Sequence, residues 1–192
     1  NHINIDFDKD KIVCIYARDD AYLKSTIPYK DWDYLKVRNG DIDNLIEAAK
    51  YLIDKGCTVV RLGSVVNKRI SFSHNKMIDY PFSGYQSDFL DIFLLAHCKF
   101  VLAGGGSGLM NVANIFDTPF LFIDVAEWDV PPTGKGGLYT PKIYRYTDTN
   151  ERLKFKDYFK KKVCYKYREL GLEVENASPQ VALEATQEML AR

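Results

Sequence analysis

The apolar positions along the first two-thirds of the chain repeat with periods that name its elements. "KIVCIYARDD" (11–20) is a short β-branched run ending in charges, which reads as a buried strand with a polar edge. In "DIDNLIEAAKYLIDKG" (41–56), Ile42, Leu45, Ile46, Ala49, Leu52 and Ile53 recur at helical spacing, with Asp41 placed to cap the start and Gly56 the end. "CTVVRLGS" (57–64) follows as a strand and "KMIDYPF" (76–82) as a short one. "SDFLDIFLLAHC" (87–98) is an apolar helix capped by Ser87, with Asp88 and Asp91 near its positive end. A strand at 99–103, a helix at 108–117 and the strand "PFLFIDV" (119–125) complete the series. Continuously apolar strands alternating with helices predict an α/β fold, a doubly wound, mostly parallel Rossmann-like sheet covered on both faces.

Elsewhere the periodicity fails. Residues 21–40 show no clean pattern and read as a long loop, a length uncommon without a role. "AEWDVPPTGKGGLYTPK" (126–142) reads as a Pro/Gly-rich loop. The basic, aromatic stretch 152–170 spaces Phe155, Phe159 and Val163 as one helical stripe, and Ser178–Pro179 opens a last helix that runs to Arg192. The resulting division is an irregular segment 1–10, an α/β domain 11–150 and a C-terminal helical appendage 151–192 packed on the sheet. A polar start without Met suits one domain of a longer protein.

Composition narrows the function classes. With 192 residues and 46% hydrophobic content the chain can bury one substantial core. Lys+Arg and Asp+Glu balance at 26 each, which argues against nucleic acid as partner, since phosphate-backbone affinity needs a cationic surplus. The absence of a spanning apolar run and of a signal-peptide pattern gives a soluble, cytoplasmic protein as the expectation. Cys14, Cys57, Cys98 and Cys164 form no C-x-x-C pair and read as buried free thiols rather than zinc ligands.

The chemistry concentrates in "KFVLAGGGSGLMNVANIF" (99–116), with four glycines in the five positions 104–108. Glycine loses much chain entropy on folding, so the cluster needs a reason. The G-x-G-x-x-G fingerprint is not met, because its third glycine falls on Leu109. A nucleophile elbow at Ser107 also needs glycine at 109, and His2, His74 and His97 all precede the serine, the wrong order for that fold. What remains is a strand end feeding a glycine turn and a helix, with free N–H groups and a helix's positive end open to an anion, or a tight corner with no ligand.

The stretch "SDFLDIFLLAHCKFVLAGGGSGLMNVANIFDTPFLFIDVAEW" (87–128) resembles the donor-binding half of GT-B glycosyltransferases. More specifically, with "VCIYARDDAYL" (13–23), "RNGDID" (38–43), "YLIDKGCTVVRLGS" (51–64), "IDYPFS" (78–83) and "LKFKDYF" (153–159), the chain is similar to a family of bacterial glycosyltransferases distantly related to the fucosyltransferase-like enzymes. The resemblance implies a domain that binds a nucleotide-diphosphate sugar. The sugar passes to a glycan or lipid-linked acceptor, as in polysaccharide biosynthesis, against a second GT-B domain. It also implies that no bound metal or other cofactor is used.

On that resemblance, Gly104, Gly105, Gly106, Ser107 and Gly108 match the loop that approaches the diphosphate. Arg18 lies at the strand-end basic motif, where the family often has two arginines and this chain continues Asp19–Asp20. Arg18, Arg38 and Arg61 are candidate clamps, because a guanidinium meets phosphate oxygens bidentately. Asp19 and Asp20 are candidate general bases for the acceptor hydroxyl, or strand-end carboxylates pairing with Arg18. Asn111 and Glu127 are candidates for ribose or sugar hydroxyls. The Asp-x-Asp pairs at 31/33 and 41/43 are read as helix starts or chance rather than metal ligands. The basic segment 154–168 suits peripheral contact with an anionic membrane, or a helix lying across its own domain with its lysines in water. A nucleotide-sugar epimerase of the same architecture and a non-catalytic nucleotide- or partner-binding module remain as alternatives.

Overall fold

The computed structural model describes residues 5–7, 9–129, 134, 136–161 and 163–192. Six strands form one parallel sheet: β1 (Lys11–Ala17), β2 (Cys57–Arg61), β3 (Met77–Asp79), β4 (Val101–Gly104), β5 (Phe120–Val125) and β6 (Leu138–Pro141). Their order is β3-β2-β1-β4-β5-β6. β7 (Ile143–Tyr146) and β8 (Leu172–Glu175) pair antiparallel as a separate two-stranded ribbon. The helices are α1 (Ala21–Thr26), α2 (Ile46–Asp54), α3 (Asp88–His97), α4 (Leu109–Ile115), α5 (Phe155–Lys161) and α6 (Pro179–Ala191).

The period-two alternation of β1 splits the interior into two layers. Val13 and Ile15 pack with Ala49 and Leu52 of α2 and with Ala182 and Met189 of α6. Ile12, Cys14 and Tyr16 pack on the other face with Leu94 and Leu95 of α3 and Ala113 of α4. The caps lie where the sequence puts them: Asp41 accepts from the Asp43 amide at 3.0 Å, and Ser87 from that of Leu90 at 3.2 Å. All four cysteines are buried free thiols. Among the described residues no helix is long and apolar enough to cross a membrane.

Three expectations need correction. The supposed loop 21–40 contains α1 and a 3₁₀ turn at Asp33–Arg38. Neither has a repeating apolar face, so periodicity could not show them. The segment 126–142 ends in β6, a four-residue edge strand whose burial alternates weakly. The stripe Phe155–Phe159–Val163 is not one helical face, because α5 ends at Lys161 and the residue it buries is Tyr158, stacked 4.6 Å from Trp128. Phe155 stays 65% exposed. Within the Pro/Gly-rich segment, residues 130–133 and 135 lie outside the described residues.

Candidate functional site

The strand order reverses between β1 and β4, and their carboxyl ends lie side by side with Ala17 paired to Gly104. In open α/β sheets ligands bind beyond this edge. Here the edge is crossed by a strap, residues 38–40. The Arg18 amide donates to Gly104 O at 2.7 Å, which joins the two strand ends, and the Gly40 amide donates to Arg18 O at 2.9 Å, which ties the strap to the first of them.

This contact accounts for part of the glycine cluster. Gly105 has φ +83°, and a Cβ there would collide with the Arg38 carbonyl oxygen. A Cβ on Gly40 would come within 2.7 Å of Gly104 O. Backbone lies directly on backbone, which only glycine allows. Gly106 instead makes room for a side chain, since its Cβ would stand 2.9 Å from Arg38 Nη2, while Gly108 faces open space.

A cavity of about 310 Å³ opens beside the strap, with Arg38, Gly106, Ser107, Gly108, Asn111 and Glu127 as its polar wall and Phe122 and Val125 beneath. Six of the residues singled out from the sequence therefore meet at one place. Arg38 Nη2 donates to Gly106 O at 3.4 Å, and Nε lies 3.5 Å from Glu127 Oε2 without a hydrogen-bond partner. The Gly105 amide donates to Ile123 O at 3.0 Å; those of Gly106 and Gly108 have no protein acceptor among the described residues. α4 has only seven residues, and its first amides turn back on Ser107 and Gly108. The anion-attracting element is thus the loop's own N–H groups and Arg38, rather than the macrodipole of a long helix. Below the loop, the buried Tyr16 hydroxyl faces Ser107 without a hydrogen-bond partner, and burial pushes its pKa up.

Arg18 sits behind the strap and donates to Leu35 O at 3.3 Å and to Asn39 Oδ1. Burial and the neighbouring Arg38 charge lower its pKa, so the two guanidiniums repel across the strap. Arg61 and Asp19 lie elsewhere, in a second cavity of about 320 Å³ on the far side of the strap. Arg61 is 1% exposed and bonds Asp79 at 3.0 Å and Lys68 O at 2.7 Å. Asp19 accepts from the Ala21 and Asn67 amides, at 3.0 and 2.8 Å. Asp20 accepts from Asn67 Nδ2 at 2.9 Å and pairs with Lys24 at 2.6 Å, and the bond to Lys24 lowers its pKa. Both carboxylates are thus tied to the 63–70 loop and helix α1.

Four residues that shape the site gave no signal in the sequence. Lys142 is 2% exposed, and its Nζ donates to Asn39 O at 2.7 Å and to Asn176 Oδ1, fixing the strap from the C-terminal side. Nearby Asp124, at φ +66°, accepts from the Ala177 amide at 2.6 Å. Burial lowers the pKa of Lys142 and raises that of Asp124. Tyr165 donates its hydroxyl to Glu127 Oε1. Among the described residues, no group of three or more His, Cys, Asp or Glu side chains is placed to hold a metal ion.

Sheet order, the reversal at β1/β4 and the polar cavity beyond it define a doubly wound, Rossmann-like α/β domain. The fold is similar to that of ADP-heptose LPS heptosyltransferase II from E. coli, with a TM-score of 0.54 and 15% identity, over 95% of this chain and 47% of that one. The chain therefore spans about half the length of that enzyme, with which it shares the fold. No protein-family model matches the chain, and no curated protein does.

Proposed function

We propose that this chain is the donor-binding domain of a glycosyltransferase, a reading shared with the bacterial, fucosyltransferase-like family that its sequence resembles. The diphosphate of a nucleotide sugar lies against the amides of Gly106 and Gly108, with Arg38 closing over it and Asn111 and Glu127 reaching sugar hydroxyls. The observation that carries this reading is the convergence of unpartnered amides and a loosely held guanidinium on one cavity at the strand carboxyl ends. Fixed donors of this kind stabilise the charge that grows on a leaving diphosphate. We place transfer to the glycan or lipid-linked acceptor in the union of this domain with a second one, in keeping with the half-length match. That same coverage favours, as the second reading, a module that binds nucleotide without reacting.

Calorimetric titration with UDP-, GDP- and ADP-sugars, with a CMP-sugar as single-phosphate control, tests the reading. Saturable binding of one diphosphate sugar, lost in Gly106→Val, is the expected result. If none of the three binds, or if Gly106→Val binds as tightly as the wild type, the donor assignment fails. Release of nucleotide on adding acceptor then separates transfer from epimerisation and from simple binding.

A further inference from the structure

Helix α5 shows solvent more apolar surface than the fold asks of it. Tyr158 is the side chain it buries, stacked 4.6 Å from Trp128 and donating its hydroxyl to Ala126 O at 3.0 Å. Phe155 and Phe159, four residues apart and so on one side of the helix, stay 65% and 44% exposed. Their rings meet edge to face at 4.8 Å, and that of Phe155 stacks on Trp128 at 5.7 Å, so the pair forms a ridge held in place by Trp128. Large apolar side chains grouped in water mark a surface that meets something.

The sequence around the ridge is basic. Residues 154–168 carry seven Lys and Arg against one acid, Asp157, in a chain whose charges balance at 26 each. Lys154, Lys156 and Lys160 are exposed, and none of them pairs with a carboxylate among the described residues. Lys156 and Lys160 each follow a ridge phenylalanine by one residue, which turns them onto the adjoining side of the helix.

We propose that the Phe155–Phe159 ridge docks this domain on an anionic phospholipid surface. The phenyl rings enter the acyl boundary, while Lys154, Lys156 and Lys160 stay at headgroup level and reach lipid phosphates along their flexible stems. A phenyl ring has no polar group to satisfy in hydrocarbon, and seven cations match the size of cluster that holds a segment on an acidic leaflet. A nucleic acid fits less well. Six of the seven cations are lysines, whereas base and phosphodiester recognition favour the arginine fork, and Trp128 already stacks on Phe155. Trp128 follows Glu127, a wall residue of the cavity, so docking sets that wall beside the membrane. Under the donor reading above this favours a lipid-linked acceptor over a free glycan; the docking itself does not rest on that reading.

The test is co-sedimentation of the full chain, without nucleotide, with vesicles of phosphatidylcholine alone or mixed with phosphatidylglycerol. Binding to the mixed vesicles only, weakened by salt, is the expected result. Phe155→Ser/Phe159→Ser should lower the partition roughly tenfold or more. Lys156→Gln/Lys160→Gln should lower it about 25-fold, at roughly fivefold per lysine. Lys55→Gln/Lys99→Gln, the same charge change at exposed positions elsewhere, should bind as the wild type does. The proposal is overturned if the mixed vesicles do not bind, if the phenylalanine variant binds them undiminished, or if the Lys55/Lys99 variant loses as much as the Lys156/Lys160 variant. It is equally overturned if a single-stranded RNA oligonucleotide displaces the chain from the vesicles by binding the same lysines and phenylalanines. Thermal melts check that each variant is folded; should the phenylalanine pair fail there, Phe159→Ser alone replaces it. Loss of vesicle binding leaves the donor titration standing, and loss of donor binding leaves the docking standing.

Discussion

Arg38 reaches from the strap to Glu127 with its Nε 3.5 Å from the carboxylate, and to Gly106 O at 3.4 Å, both long contacts for a guanidinium. A side chain held this loosely keeps donors for a ligand. Arg38→Ala should lower affinity for a diphosphate sugar by about 10- to 100-fold, the equivalent of one or two charge-assisted hydrogen bonds. Arg38→Lys should recover only part, since an ammonium lacks the fork. Calorimetry on the three proteins checks this, and equal affinities would remove Arg38 from the site.

The glycines of the loop should separate by substitution. Gly105→Ala forces a Cβ against the Arg38 carbonyl at a positive φ, whereas Gly108→Ala meets nothing within 4 Å. Strained positive-φ backbone alone costs about 1–3 kcal/mol, so Gly105→Ala should lose at least about 2 kcal/mol once the clash is added. Gly108→Ala should stay within about 1 kcal/mol of wild type. Chemical denaturation of both variants measures the difference.

Arg61 should behave as a structural cation. It is buried against Asp79, whose side chain is 18% exposed, and it also holds Lys68 O. Removing one partner of a buried pair typically costs about 3–5 kcal/mol, and partial exposure of Asp79 puts Arg61→Ala near the lower end. The double variant Arg61→Met/Asp79→Leu should regain most of the loss. A melting temperature for Arg61→Ala equal to that of wild type would contradict this.

Asp91 supplies a pH signature. Its Oδ1 is buried without a partner, and burial, reinforced by Asp88, raises its pKa. The folded state therefore holds this proton more tightly than the unfolded state, whose carboxyl titrates at about 3.9. Stability contributed by protonated Asp91 is complete below that value and is lost as pH rises through the higher folded pKa. Asp91→Asn should be more stable than wild type at neutral pH, with the gain vanishing towards pH 3. Denaturation curves from pH 3 to 7 test this, and a gain that persists at pH 3 would refute it.

Strands 1, 2, 4 and 5 and helices 2, 3 and 6 were legible because each has an apolar run or face whose period and cap agree. The glycine turn and its neighbours Asn111 and Glu127 could likewise be found, and the structure brings them to one cavity. The reason for Gly105 could not. Its need for a bare backbone comes from Arg38, distant along the chain, and a contact of that range leaves no local pattern. Lys142 was invisible for the same cause: a lysine between Pro141 and Ile143 reads as surface, yet it is buried on Asn39. The Ser178 cap shows the opposite case, a signal complete within four residues, with its hydroxyl accepting from Val181 at 3.4 Å.

The strap is secured by four distant points of the sequence: Arg18 after the first strand, Gly106 after the fourth, Lys142, and through it Asn176. Shortening the protein from its carboxyl end past Asn176 would remove the last of these and leave a buried ammonium without its amide. Nothing removed in that way lines the anion cavity itself, so any change in its ligand affinity would have been carried by the strap. The far end of the sequence is in this sense a tether for Arg38, although it never reaches the cavity.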